Sequence, residues 1–110
     1  MFEVNDYVER TIRKLIHLTK AERVKWKKTG ENSYSYSTSN ATVTMSKNLF
    51  VGSPVFTMLD SEGEEIERID RPRIGLSSGV EIEMLWDAIM SQESASQDAV
   101  KRFLNDLDSL

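Results

Sequence analysis

Histidine is the side chain best suited to acid–base and metal chemistry near neutral pH, and it occurs once, at His17. Its neighbours are Ile16 and Leu18, and the residues one helical turn on are Lys20 and Ala21. A metal centre needs several convergent ligands. None stands at the required spacing, so His17 reads as structural. There is no cysteine, which removes disulfides, zinc ribbons, iron–sulfur clusters and thiol catalysis. The acids Asp60, Glu62, Glu64, Glu65 and Glu67 invite a calcium reading. An EF-hand loop needs glycine at its sixth position and glutamate at its twelfth. Counted from Asp60, Gly63 is fourth and the twelfth residue is Arg71, so the acids read as a hairpin tip with solvated charges. "GLSSG" (Gly75 to Gly79) lacks the lysine of a phosphate-binding loop. Ser77 and Ser78 lack the surroundings of a nucleophile elbow. No pair of carboxylates is singled out for general acid–base work. The expectation is a protein that is not an enzyme and needs no cofactor and no metal.

Binding chemistry has more support. The formal net charge is −4, but it is unevenly spread. Residues 1–28 hold eight basic side chains (Arg10, Arg13, Lys14, Lys20, Arg23, Lys25, Lys27 and Lys28) against four acids. That stretch is therefore +4, and the remainder must be −8. "RVKWKKTG" sets Trp26 among these cations, as nucleic-acid-binding surfaces do. An overall acidic chain (pI ≈ 5.0) and an inward-facing Trp26 argue against that use. A basic helix and an acidic hairpin are equally suited to docking another protein.

These residues must be positioned by elements, and the periodicities name them. A polar cap at Asn5 or Asp6 followed by Tyr7, Val8, Ile12, Leu15, Ile16 and Thr19 predicts a helix over 5–20. Val24 and Trp26 alternate with lysines, which predicts a short strand with one buried face. Tyr34 and Tyr36 alternate with serines, and Val43 and Met45 with Thr42, Thr44 and Ser46. This is the pattern of an antiparallel sheet with one wet face. Val55 to Leu59 is apolar on both faces, which predicts a central strand covered on both sides by the chain itself or by a second copy. Asp60 to Glu64 predicts a turn with Gly63 at positive φ, and Glu65 to Ile69 the returning strand. "DRPRIG" breaks regular structure, and Ser77 or Ser78, with Glu81, caps the next helix.

Ile82, Leu85, Trp86, Ile89 and Met90 recur at helical spacing, as do Val100, Phe103, Leu104 and Leu107. The polar "SQESASQ" lies between them, with Ser94 and Gln97 at capping-box spacing. A single helix over 80–108 would run ~43 Å and overhang a domain of this size, inviting dimerisation through the C-terminal helices. Two helices broken near Ser94 stay compact, and the break is the expectation.

The order of a helix, "VKW", alternating strands, "FTMLDSEGEEIERI" and "LWDAIM" resembles a dispersed group of small bacterial and phage proteins. The residues that carry the likeness are Trp26, Asp60, Gly63, Leu85 and Trp86. The resemblance implies a fold and a bacterial or phage setting, and it lends no catalytic residues.

The chain is thus expected to form one α+β domain. An N-terminal helix, a four- or five-stranded antiparallel meander and one or two C-terminal helices pack on one sheet face. The first residues lack the charge pattern of a signal peptide and no stretch is long and apolar enough to span a membrane, so the expected location is cytoplasmic. The expected function is binding to another protein, as an inhibitor, adaptor or immunity-type accessory. The alternative is a nucleic-acid-binding module using Arg10 to Lys28.

Overall fold

The computed structural model describes residues 4–47, 52–70 and 78–110. Helix α1 (Val4–Lys20) precedes strands β1 (Lys27–Gly30), β2 (Ser33–Ser37), β3 (Ala41–Lys47), β4 (Pro54–Asp60) and β5 (Glu65–Ile69), and helix α2 (Ser78–Asp108) closes the order. The strands form one antiparallel sheet in sequence order, β1-β2-β3-β4-β5. This is the expected α+β meander, with five strands.

Register explains why one face is dry. Tyr34 opposes Met45, Met45 opposes Phe56, and Phe56 opposes Ile69. All four are buried. Because side chains alternate along a strand, the residues between them form the other face. There Ser35, Thr44 and Thr57 lie in one row, with Lys27 and Arg68 at its ends. Among the described residues, both helices lie on the Tyr34–Ile69 side. Val8, Ile12, Leu15 and Ile16 of α1 and Ile82, Leu85, Trp86 and Ile89 of α2 join the buried strand residues in one core. Trp86 meets Tyr34 edge-on, centroids 5.8 Å apart at 73°, the geometry that the ring quadrupoles favour.

α1 ends in a Schellman motif. The Arg23 N–H donates to the Leu18 carbonyl (2.9 Å) and the Glu22 N–H to that of Thr19 (3.1 Å). The motif needs a left-handed residue, and Glu22 supplies it at φ 60° where glycine is usual. At the hairpin tip, Asp60 Oδ1 accepts from the N–H groups of Glu62 and Glu64, both at 2.9 Å, while Gly63 takes φ 83°. The acid at Asp60 therefore builds the turn.

Three expectations are corrected. First, α2 is one helix of 31 residues, with no break near Ser94. "SQESASQ" contains neither proline nor glycine, and polarity alone does not end a helix. Ser94 and Gln97 form no capping box. The Gln97 side chain instead reaches back to Glu93 Oε1 (3.3 Å), and Ser96 Oγ donates to the Gln92 carbonyl (3.2 Å), contacts a continuous helix makes. Second, Val24–Trp26 is not a strand, since β1 starts at Lys27. Third, β4 is interior as expected, bonded to β3 and β5, but the chain itself covers only its helix-facing side. Phe56 is fully buried, whereas Val55 and Leu59 on the other face stay partly open. The expected break at "DRPRIG" and the Ser77/Ser78 cap lie at or outside the limits of the described residues.

Candidate interaction surfaces

The irregular segment from Arg23 to Trp26 is held by α2. The Trp26 N–H donates to Gln92 Oε1 at 3.0 Å, and Gln92 Nε2 donates to the Val24 carbonyl at 2.9 Å. One amide side chain thus supplies both bonds that a neighbouring strand would have made. The Trp26 indole N–H donates to Thr19 Oγ1 at 2.9 Å, which satisfies that buried threonine. Val24 is buried, Trp26 only partly, packed beside Tyr36 with centroids 6.3 Å apart. Nothing in the local pattern marked Gln92. It lies 66 residues from Trp26 in sequence, and only the fold brings them together.

The eight candidate cations do not form one surface. Arg10, Arg13, Lys14 and Lys20 occupy the exposed side of α1. Arg13 is tied down: its Nε donates to Glu81 Oε1 of α2 at 2.8 Å, and Glu9 lies 3.8 Å away. The bond to Glu81 and then its charge hold the Arg13 guanidinium above its already high ordinary pKa, against desolvation, with a lesser contribution from the charge of Glu9. Arg10 lies over the Tyr7 ring, 5.8 Å from its centroid. Arg23 and Lys25 are exposed on the irregular segment. Lys27 opposes Ser35 on the open sheet face, whereas Lys28 opposes Tyr34 on the helix-facing side and reaches Glu93 of α2 at 3.8 Å. The sheet therefore separates Lys27 from the α1 cations.

The acidic hairpin is also divided. Asp60 is engaged in its turn, Glu62, Glu64 and Glu65 are exposed at the tip, and Glu67 opposes Met58 on the helix-facing side. Among the described residues, no three acidic, histidine or cysteine side chains gather as a metal site would require. A cleft of about 340 Å³ runs between the end of α1 and the middle of α2. Its polar lining includes Thr19, which is already bonded to Trp26.

Among the described residues, the largest unpartnered feature is the C-terminal half of α2. Ile82, Trp86 and Ile89 alternate in steps of four and three, and the same series continues through Glu93, Ser96, Val100, Phe103 and Leu107. As far as Ile89 the stripe is core. From Ser94 onward every residue is exposed. Ser94–Asp108 thus projects about 22 Å from the body. Val100, Phe103, Leu104 and Leu107 are 67, 63, 54 and 49% exposed and lie on one face. The molecule measures 62 × 32 × 23 Å, with a radius of gyration of 15.9 Å. A packed chain of this length would have about 13 Å, so the projection dominates the shape. Sequence spacing revealed the apolar stripe; that it lies outside the body became evident only from the unbroken helix.

Comparison of the chain with protein-family models, with curated proteins and with solved structures finds no match. No described helix is long and apolar enough to cross a membrane.

Proposed function

We propose that this chain is a small non-catalytic accessory protein that acts by protein–protein interaction, with the projecting half of α2 as its docking element. The observation that carries the reading is the exposed stripe Val100–Phe103–Leu104–Leu107. A contiguous apolar patch on a protruding helix marks an interaction site. Burying four such side chains contributes about 6–12 kcal/mol at ~1.5–3 each. That is of the same order as the ~4–15 kcal/mol that association costs in lost freedom, so the stripe supplies the apolar anchor of a complex and the contacts around it supply the remainder. Inhibitor, adaptor and immunity-type roles all rest on such a docking element.

The test is capture from the lysate of the native host by tagged wild type and by tagged Leu104→Asp. Each bait is used with and without nuclease treatment and washed at low salt and at about 0.5 M salt, where exposed charges are strongly screened. A protein, including an untagged copy of the chain, retained by wild type at high salt and absent with Leu104→Asp is the expected result. Equal capture by both chains overturns the reading. The second reading, nucleic acid on Arg10–Lys28, draws on the exposed α1 cations beside Tyr7. Material removed by nuclease and by salt would favour it.

A further inference from the structure

We propose that the occupant of the α2 stripe is a second copy of this chain, its own projecting helix lying antiparallel about a two-fold axis near Asn105. The proposal rests on the docking role of α2 and names the partner. Three observations carry it. The stripe has the three-four spacing of a helix–helix seam, and a two-fold axis makes one patch serve both sides. Placed at Asn105, the axis sets Phe103 and Leu104 against Leu107 of the second copy. The charges beside the stripe are complementary only in that arrangement. Lys101 lies toward the body and Asp108 toward the far end, on the same flank of the stripe. Antiparallel pairing brings Lys101 beside Asp108 of the second copy. Parallel pairing sets lysine beside lysine and aspartate beside aspartate. Finally, the axis overlaps residues 100–110 of the two helices, which sets Val100 against Leu110 of the second copy and lets each copy cover the other's whole stripe. It also leaves the two bodies at opposite ends, where they do not collide.

The experiment is sedimentation of the purified 110-residue chain at micromolar concentration. Wild type is expected at twice its 12.6 kDa chain mass, and Leu104→Asp at the single mass. The far-UV and near-UV spectra of Leu104→Asp should remain those of a folded body, because Leu104 touches no core residue. Lys101→Asp is expected to weaken the dimer several-fold, and adding Asp108→Lys to restore it. The chain has no cysteine, so Val100→Cys supplies a clean orientation test. In the antiparallel pair the two sulfurs lie about 15 Å apart along the helices, beyond the ~7 Å reach of a disulfide, and no cross-link should form on mild oxidation. A single-mass wild type, a Leu104→Asp dimer, a charge swap that fails to rescue, or a Val100→Cys cross-link each overturns the proposal. If wild type is monomeric while Leu104→Asp still abolishes capture of another protein, the pairing is wrong and the docking reading stands. If capture is also unchanged, both fall.

Discussion

At the scale of single residues, three polar groups do more than their sequence surroundings suggest. Thr19 is buried and holds the indole of Trp26. Thr19→Val keeps the shape but leaves that N–H without its acceptor, and should lower unfolding stability by about 1–3 kcal/mol. Gln92 bonds two backbone groups at once. Gln92→Ala should cost a similar amount, about 1–3 kcal/mol, and loosen the Arg23–Trp26 segment. The check is denaturant melts together with faster amide exchange at Trp26. Glu22 sits at φ 60°, where a side chain costs roughly 1 kcal/mol relative to glycine. Glu22→Gly should therefore leave stability unchanged or raise it by up to about 1 kcal/mol, and a lower melting temperature would contradict this account of the α1 terminus. The two tryptophans separate by burial. Trp86→Ala should cost about 3–5 kcal/mol. Trp26→Ala should cost less, because its ring is only partly covered.

At the scale of elements, α2 behaves as two halves of one helix. Its first part is core, with Leu85 and Ile89 almost wholly buried. Its second part, from Ser94 onward, is exposed at every residue. Proline inside a helix removes a hydrogen bond and disrupts the turn before it, and the consequence depends on which half receives it. Leu85→Pro should unfold the chain. Gln97→Pro should reduce helical circular dichroism yet preserve the near-ultraviolet signal of the Trp86–Tyr34 pair. Loss of both signals in Gln97→Pro would show that the projecting half supports the body. The sheet has a matching asymmetry. One face is sealed by both helices, and the other presents serine and threonine hydroxyls with Val55 and Leu59 among them.

At the scale of the whole molecule, charge and shape are partitioned. Basic residues are concentrated on α1 and the segment after it, and acids on the hairpin and α2, with the sheet between Lys27 and the α1 cations. A single continuous basic groove is absent from this arrangement of the described residues. Any nucleic-acid affinity should therefore be weak and fall steeply with salt. Lys25→Glu combined with Lys27→Glu should leave capture through the α2 stripe unchanged, measured by pull-down at high salt. Loss of capture in that variant would move the docking surface from the α2 tail to the basic segment.

Local pattern by itself determined much of this protein. Alternation set which faces of β2 and β3 are dry, the three-four spacing set both helix stripes, and Asp60 with Gly63 set the hairpin. Each depends on residues a few positions apart, so each is legible without the fold. Tertiary structure alone decided the rest. Val24 and Trp26 alternate like a strand, yet their backbone bonds go to Gln92, a partner no local window contains. The same spacing describes Ile82–Ile89 and Val100–Leu107, and only the length of the body beneath the helix makes the first a core and the second an exposed seam. Periodicity reports which side of an element is apolar; what lies against that side is set by the path of the whole chain.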